Sequence, residues 1–372
     1  MLIGVPKEVK NNEFRVGLVP SSVRELTAHG HRVVVQRAAG AGIGFDDVDY
    51  EHVGAVIADT AEEVFQTAEM IIKVKEPQLQ ECKMLREGQV LFTYLHLAPD
   101  PEQTKLLQES GCIAIAYETV TNRNGGLPLL APMSEVAGRM AIQAGATSLE
   151  ITNGGSGILL GGVPGVAPAR VVVLGGGVVG TNSVRVAMGM GANVIVIDKS
   201  LERLYQLDLQ FGSKITTIYS TTDSIERHIA KADLVIGAVL VPGGSAPKLV
   251  TRDMLKRMRP GSVMVDVSID QGGCFETSRP TTHQAPTYVV DGVVHYCVTN
   301  MPGAVPRTST FALNNATLPF VLALANQGYQ HAMRDDAHLM NGLNVYRGRL
   351  THKAVANALQ QEFTPAEVVL GG

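Results

Sequence analysis

The sequence contains no tryptophan, four cysteines and only 5% aromatic residues, and its acidic and basic residues nearly balance. The absence of tryptophan excludes intrinsic tryptophan fluorescence as a probe of ligand binding. The cysteines form no C-x-x-C pair and no spacing typical of zinc, so we expect free, buried thiols and no bound metal. A net charge of −4, from 31 basic and 35 acidic residues, does not favour nucleic acid or an anionic membrane as a partner.

Long apolar runs are also missing. No stretch of about 18 apolar residues, the length that crosses a bilayer, occurs in the sequence. The nearest approach, Phe311–Ala325, is interrupted by Asn314 and Asn315 and is interpreted as a buried helix. The N-terminal segment MLIGVPKEVKNNEFR is charged and has no signal-peptide core, so we expect a cytoplasmic protein without a membrane anchor.

The length and the pattern of apolar runs favour two α/β domains. A chain of 372 residues exceeds the size of one ordinary hydrophobic core. Short apolar runs alternate with polar, helix-compatible segments, which is typical of largely parallel sheets. The runs interpreted as strands are Leu2–Val5, Arg32–Gln36, Met70–Val74, Val90–Tyr94, Ile113–Tyr117, Arg170–Leu174, Asn193–Ile197, Ile215–Tyr219, Asp233–Val239, Ser262–Val267, Tyr288–Val290 and Val294–Val298. We predict two doubly wound α/β domains, one of them a Rossmann dinucleotide-binding domain, with an active-site cleft between them.

The domain boundaries follow from where this pattern stops and restarts. A long helix is predicted over Ser134–Glu150, followed by an uncharged Gly- and Pro-rich loop, Asn153–Pro168, which we expect to be packed or to face a ligand. The strand pattern then restarts and is complete before the C-terminal region. We therefore assign residues 1–130 and 305–372 to a substrate (catalytic) domain and residues 131–304 to the dinucleotide-binding domain.

Helix starts are predicted from residues that commonly cap a first turn. Thr60 and Asp100 precede helix-compatible segments, and Ser21 or Ser22 precedes another. Their side-chain oxygens can accept the N–H groups that a helix start leaves without a partner.

A glycine-rich motif opens the second domain. The segment Gly175-Gly-Gly177-Val-Val-Gly180 fits G-x-G-x-x-G, directly after a buried β-branched run and before a predicted helix. The first glycine permits a tight turn, the second lets the backbone approach a pyrophosphate, and the third lets helix and strand pack closely. Asp198 ends the next predicted strand, where an acidic residue binds a ribose diol and repels a 2′-phosphate. The motif therefore predicts NAD rather than NADP, although Lys199 and Arg203 are nearby cations.

Four polar residues are candidates for a substrate site: Lys75, His96 and Asp270 at predicted strand ends, and Arg15 in a polar loop after the first strand. If the first sheet is parallel, Lys75 and His96 lie side by side at one edge. Arginine binds a carboxylate with two hydrogen bonds, and a histidine with a carboxylate suits proton transfer near neutral pH. Each residue also has a structural alternative: a solvated Lys75, a core His96, a surface ion pair for Arg15 and a turn cap for Asp270. Spacing alone leaves these alternatives open.

Longer motifs identify a family. They are Gly4-Val-Pro-Lys-Glu, Glu13-Phe-Arg-Val-Gly-Leu-Val-Pro, Lys73-Val-Lys-Glu-Pro, Tyr94-Leu-His-Leu-Ala, Pro132-Met-Ser-Glu-Val-Ala-Gly-Arg, Gly154–Pro164, Val265-Asp-Val-Ser-Ile-Asp-Gln-Gly-Gly and Thr299-Asn-Met-Pro-Gly-Ala-Val-Pro. With these motifs the chain resembles the alanine dehydrogenases over nearly its whole length. More distantly, it resembles the nucleotide-binding component of proton-translocating transhydrogenase.

The resemblance implies a role for each candidate residue. Arg15 and Lys75 would bind the carboxylate and carbonyl groups of the substrate, and His96 and Asp270 would be the catalytic acid–base pair. Ser134 would contact the cofactor phosphates. Further cofactor contacts are implied for Gly175, Gly177, Val178, Val179, Gly180, Asp198, Arg203, Ser220, Val239, Leu240, Val267, Ser268, Ile269, Asp270, Arg279, Val298, Thr299, Asn300 and Met301.

The implied activity is the reversible, NAD-dependent oxidative deamination of L-alanine to pyruvate and ammonium, by a homohexamer. The alternatives are a transhydrogenase-type or saccharopine-type NAD enzyme, or a non-catalytic NAD-binding protein. A transhydrogenase subunit would need membrane partners and has no evident use for Arg15, Lys75 and His96. A protein that only binds NAD would need no proton-transfer pair.

Overall fold

The computed structural model describes residues 1–239 and 246–371, and the chain divides into two compact units. Unit 1 comprises Met1–Met133 and Val305–Gly372, and unit 2 comprises Ser134–Ala304. No helix among the described residues combines the length and the hydropathy that a bilayer span requires. All four cysteines are buried and carry no disulfide, as expected.

The strands and helices alternate through most of the chain. The strands are β1 (Leu2–Val5), β2 (Arg32–Gln36), β3 (Val56–Ala58), β4 (Met70–Ile72), β5 (Val90–Thr93), β6 (Ile113–Ala116), β7 (Arg170–Leu174), β8 (Asn193–Asp198), β9 (Ile215–Tyr219), β10 (Leu234–Gly237), β11 (Val263–Asp266), β12 (Thr287–Val290), β13 (Val293–Tyr296), β14 (Leu343–Tyr346) and β15 (Arg349–Leu350). The helices are α1 (Pro20–Ala28), α2 (Asp47–Glu51), α3 (Ala61–Thr67), α4 (Leu79–Cys82), α5 (Pro101–Ser110), α6 (Ala131–Ser148), α7 (Val178–Gly189), α8 (Leu201–Phe211), α9 (Thr222–Ile229), α10 (Arg252–Leu255), α11 (Pro306–Gln327), α12 (Tyr329–Asp335), α13 (Ala337–Met340), α14 (Lys353–Leu359) and α15 (Ala366–Val369).

Each unit is built on a doubly wound sheet. In unit 1 the described strands follow the order β3-β2-β1-β4-β5-β6-β14-β15, parallel except for β14 and β15. In unit 2 the order is β9-β8-β7-β10-β11-β13-β12, parallel except for β12. The predicted class of two doubly wound α/β domains is confirmed, and unit 2 has the strand order of a Rossmann fold.

Burial on both faces explains the continuous apolar strands. In β7, Val171 and Val173 belong to one buried cluster, whereas Val172 and Leu174 belong to another. Because successive side chains of a strand point to opposite faces, a central strand covered on both sides must be apolar at every position. In unit 1, Val345 of β14 packs in the same cluster as residues of β4, β5 and β6.

Some predicted details are wrong. Thr60 and Asp100 cap α3 and α5 by accepting backbone N–H groups at 3.2 Å and 3.0 Å, as predicted. Neither Ser21 nor Ser22 caps α1, because Pro20 occupies the first turn and Val19 is the N-cap residue. Strands β3, β14 and β15 are absent from the predicted set because they are short, with two to four residues each.

The uncharged loop after α6 is packed in part. Leu160 is 2% exposed and belongs to a buried cluster of unit 2, against which Ile158 packs, whereas Leu159 and Val166 are 66% and 63% exposed. The loop is also held through its backbone: a Cβ on Gly161 would lie 2.3 Å from the carbonyl oxygen of Met190, so only glycine fits this approach.

Close packing of α7 on β7 generates a stability prediction. A Cβ on Gly180 would lie 1.8 Å from the Gly175 carbonyl oxygen, whereas a Cβ on Gly189 would meet no heavy atom within 4 Å. Gly180→Ala should therefore lower the free energy of unfolding by about 3 kcal/mol or more, because rigid backbone must move. Gly189→Ala, in the same helix, should raise it by about 0.5 kcal/mol.

Urea unfolding of the two variants and the parent, followed by circular dichroism, measures both effects. Equal midpoints for Gly180→Ala and the parent would contradict the packing argument.

Candidate active site

Arg15, Lys75 and His96 follow three neighbouring strands of unit 1. They lie after β1, β4 and β5, which are adjacent and parallel in the sheet. The parallel pairing of β4 and β5 confirms the expected side-by-side placement of the segments that carry Lys75 and His96. The strand order reverses between β1 and β4, and in open α/β sheets ligands bind beyond the carboxyl ends at such a reversal.

Arg15 is a buried, charge-paired side chain. It is only 2% exposed, and its Nε and Nη2 donate to the two carboxylate oxygens of Glu13 at 2.7 Å and 2.6 Å. Its Nη1 lies 3.0 Å from Met133 Sδ. Burial alone would raise the pKa of Glu13, but the Arg15 guanidinium holds that pKa below its ordinary value. The alternative of a surface ion pair for Arg15 is therefore wrong.

Lys75 is half-buried within electrostatic reach of this pair. Its backbone N–H lies 3.4 Å from Glu8 Oε1. Burial lowers the pKa of the Lys75 ammonium, and the positive charges of Arg15 and Lys10 lower it further, against the opposing charge of Glu76. The alternative of a simply solvated lysine does not describe this environment.

A buried ion cluster holds the loop that carries Lys75. Lys73 has no exposed surface, and its Nζ lies 3.0 Å from Glu8 Oε2 and 2.8 Å from Glu81 Oε1. Glu8 Oε1 also accepts the Val74 N–H at 2.7 Å. Burial alone would lower the pKa of Lys73, but the two carboxylates raise it above its ordinary value. The cluster ties the segment after β1 to the segment after β4.

His96 lies on a strained turn after β5. Its φ of 49° is in the left-handed region, which costs a non-glycine residue about 1 kcal/mol. Its side chain is 46% exposed, and its ring stacks on Tyr94 with centroids 5.8 Å apart. The His96 N–H donates to Glu118 Oε1 at 2.6 Å. The alternative of a core histidine is wrong, and backbone strain of this kind clusters at functional sites.

The glycine-rich motif lies at the equivalent place in unit 2. Gly175 follows β7, beside the reversal between β7 and β10, and its φ of 99° requires glycine. A Cβ on Gly177 would meet no heavy atom within 4 Å, so space lies against the start of α7. The N–H groups of a helix start bind phosphate, and the loop therefore fits a dinucleotide pyrophosphate.

Asp198 and Arg203 both bind this glycine loop. The Asp198 carboxylate accepts the N–H groups of Gly176 at 2.6 Å and Ser200 at 2.8 Å. Arg203 donates from Nε to the Gly176 carbonyl at 2.6 Å and from Nη2 to Thr181 Oγ1 at 2.5 Å. Asp198, which the motif identifies as a ribose-binding residue, thus also holds the glycine loop in its conformation. The motif does not indicate this second role.

Most other candidate cofactor residues fall at the same edge of the unit 2 sheet. After the carboxyl ends of β9, β10, β11 and β13 lie Ser220, Val239, Val267, Ser268, Ile269, Asp270, Val298, Thr299, Asn300 and Met301. Val178 and Val179 start α7, Ser134 lies in α6, and Arg279 stacks on the ring of Tyr288 between β11 and β12. Leu240 lies outside the described residues.

Asp270 lies exposed on a short turn after β11, Val267–Gln271. The buried residue Asp266 caps this turn by accepting the Ser268 N–H at 3.0 Å, and it also accepts the Cys274 N–H at 2.9 Å. Burial raises the pKa of Asp266, against these hydrogen bonds. The turn-cap role considered for Asp270 therefore belongs to Asp266.

Sequence reasoning missed three charged residues that shape the site: Lys73, Glu118 and Asp266. Each lies in or next to an apolar run that the sequence marks as a buried strand. A charge there must be paired or hydrogen-bonded, because an isolated buried charge is too costly. A charged residue in such a run therefore indicates that the charge is paired, but it does not identify the partner. Glu8 and Glu13 were considered only as partners of Arg15 in a surface ion pair, whereas both are buried.

Both units present polar groups beyond the carboxyl ends of parallel strands, and unit 2 adds a glycine loop for a dinucleotide. These features define a two-unit α/β protein of the nucleotide-binding class. Residues 4–137 match the family model described as alanine dehydrogenase/PNT, N-terminal domain, and residues 141–353 match alanine dehydrogenase/PNT, C-terminal domain. The chain belongs to the alanine dehydrogenase/PNT family, as its motifs predicted, and the family implies a nicotinamide nucleotide as cofactor.

Individual relatives agree with this assignment. The chain is 61% identical to the alanine dehydrogenase of Halomonas elongata over 371 residues, which cover 100% of both chains. It is 54% identical to a solved L-alanine dehydrogenase, with a TM-score of 0.94 over 97% of this chain and 99% of that one. The transhydrogenase structure from Sinorhizobium meliloti is 26% identical, with a TM-score of 0.81 over 95% of this chain and 100% of that one.

The ion cluster at Lys73 generates a second stability prediction. Lys73→Met should lower the free energy of unfolding by about 3–5 kcal/mol, because Glu8 and Glu81 stay buried without their cation. Lys105→Met, which removes an exposed i,i+4 pair with Glu109, should leave the unfolding midpoint unchanged. Urea unfolding at neutral pH measures both variants. A Lys73→Met variant as stable as the parent would show that the cluster does not stabilise the unit.

Proposed function

We propose that the chain is an NAD-dependent L-alanine dehydrogenase, which interconverts L-alanine with pyruvate and ammonium. The observation that carries the proposal is the placement of Arg15, Lys75 and His96 in the segments that follow three adjacent parallel strands. This set provides carboxylate binding and proton transfer, which a protein that only binds a nucleotide would not use. The name of the Halomonas elongata relative supports alanine as the substrate.

In this proposal unit 1 binds the substrate and unit 2 binds NAD. The carboxylate of Asp198 lies against the glycine loop, where it would accept ribose hydroxyls and repel a 2′-phosphate. The nearby cation Arg203 donates to the Gly176 carbonyl and to Thr181. Because its guanidinium is already bound there rather than free to bind a 2′-phosphate, NAD is favoured over NADP. The remaining candidate cofactor residues are proposed in the same role.

Substrate binding is assigned to Arg15 and Lys75. Glu13 holds the guanidinium plane of Arg15 in place, so little side-chain entropy is lost when a carboxylate binds. Lys75 adds a positive charge in a half-buried position, where electrostatic attraction is stronger than in water. A small 2-oxo or 2-amino acid fits this arrangement of two cations.

Proton transfer is assigned to His96 and Asp270. The bound nicotinamide would supply the chemistry of hydride transfer. The residues of the chain remove the ammonium proton before oxidation and direct water to the resulting iminium carbon afterwards, which releases ammonia and leaves pyruvate. The exposed imidazole of His96 and the exposed carboxylate of Asp270 can exchange these protons.

A homohexamer is part of the same proposal. The exposed apolar side chains of the loop after α6, including Leu159, Val163 and Val166, support association of this face with another surface.

The proposal predicts that NADH forms from L-alanine and NAD, and not from D-alanine or with NADP. Absorbance of NADH at mildly alkaline pH measures this. His96→Asn, which keeps a residue that tolerates the left-handed turn, should lower kcat about 100-fold or more with NADH affinity unchanged. The protein could bind NADH and yet form none from L-alanine and NAD. That result would point first to a different amino-acid substrate, and then to a protein that only binds NAD. Hydride transfer to a second nucleotide would identify a transhydrogenase-type protein.

The environment of Lys75 predicts a pH dependence of substrate affinity. Its pKa lies below the ordinary 10.5, so the ammonium loses its charge at a lower pH than an exposed lysine does. The KM for pyruvate, measured with ammonia saturating, should therefore begin to rise at a lower pH than the ordinary lysine pKa would give. Lys75→Arg stays protonated throughout and should show a flat KM. A flat profile in the parent would contradict the role of the Lys75 charge.

A further inference from the structure

We infer that Glu118 is a positioning residue for His96, holding both the backbone and the imidazole of that residue in the orientation that proton transfer needs. The inference rests on the proposed function for its effect on turnover, but not for its geometry. Glu118 lies in the short turn Tyr117–Thr119 after β6. Because β6 pairs in parallel with β5, this turn is beside the segment that carries His96.

The Glu118 carboxylate binds two consecutive backbone N–H groups. Its Oε1 accepts the His96 N–H at 2.6 Å, and both oxygens lie 3.2 Å from the Leu95 nitrogen. Successive N–H groups around a left-handed residue form a concave anion site. Here the anion is a side chain of the protein itself. The carboxylate of Glu118 therefore stabilises the left-handed backbone of His96 through these hydrogen bonds.

The same carboxylate faces the imidazole. His96 Nδ1 lies 3.9 Å from Glu118 Oε1, and Tyr94 stacks on the ring with an interplanar angle of 9°. This separation is too long for a hydrogen bond, so the carboxylate acts on the ring through its charge, which attracts the imidazole when it carries a second proton. Glu118 itself is only 15% exposed at its side chain, so it reaches the reaction through His96 and not as a proton donor of its own.

A purely structural role is the competing explanation. The hydrogen bonds to Leu95 and His96 would then serve only to close a loop, and loss of Glu118 would weaken the unit irrespective of which side chain stands at position 96. The two explanations differ in whether the effect of Glu118 depends on the imidazole. A double-mutant cycle between the two residues measures that dependence.

Turnover of alanine by Glu118→Gln, His96→Asn and the double variant provides the test. Glutamine keeps an oxygen that accepts the backbone N–H groups but removes the charge. We expect Glu118→Gln to lower kcat by about 10-fold to 100-fold, a typical effect of a lost orienting partner, with the KM for alanine and the affinity for NADH within about two-fold of the parent. The double variant should be no slower than His96→Asn alone. Glu109→Gln, an exposed glutamate of α5, is the matched control and should behave as the parent.

Two results would overturn the inference: full activity of Glu118→Gln, or a loss in the double variant equal to the product of the two single losses. A measurement that does not depend on turnover distinguishes failure of this inference from failure of the proposed function. In ¹⁵N-histidine spectra, the ring signals that disappear in His96→Asn should move in Glu118→Gln and stay in place in Glu109→Gln. Unmoved ring signals overturn the inference even if the protein proves inactive towards alanine, whereas moved signals support it in either case.

Discussion

Carboxylates that accept backbone N–H groups close the loops on which the candidate side chains stand. Loops at the ends of parallel strands lack the repeated hydrogen bonds of a sheet or helix, so an internal anion that gathers two or more N–H groups substitutes for them. Hydrogen bonds to a charged acceptor are about twice as strong as neutral ones, so a few of them are enough to hold a loop. The four cases are Glu8 with Val74 and Lys75, Glu118 with Leu95 and His96, Asp198 with Gly176 and Ser200, and Asp266 with Ser268 and Cys274.

These anions also set the electrostatics around them. Burial of Glu8 requires the cation Lys73, and Lys73 in turn requires Glu81, so three charges form one unit in which no member can be removed alone. Glu13 does the same for Arg15. The candidate substrate cations thus lie among buried carboxylates that are themselves held by hydrogen bonds and ion pairs. Rigid, prearranged dipoles and charges of this kind stabilise developing charge at low reorganisation cost.

The sequence predicted the architecture well because its signals are local. Continuous β-branched runs such as Arg170–Leu174 reflect burial on both faces, and the glycine motif reflects contacts between residues close along the chain. Pairing across the chain has no such signal. Nothing in the sequence joins Glu118 to His96 or Glu8 to Lys73, because these contacts depend on which strands become neighbours. The same reason explains the missed cap of α1, where Val19 donates its N–H to Asn314 in a distant helix.

The first five strands of each unit are arranged in the same order, but the connection that leaves the first strand differs between the two units. In unit 2 the chain turns from β7 almost directly into α7, which exposes a helix start to a phosphate. In unit 1 residues 6–19 intervene between β1 and α1, and they carry Glu8, Glu13 and Arg15. In the proposed function, one scaffold therefore serves two kinds of ligand, and the connection after its first strand decides which. A change of ligand at the first sheet would therefore have to be made at the exposed positions of residues 6–19, because Glu8, Val16 and Leu18 of this segment are buried in the interior of unit 1.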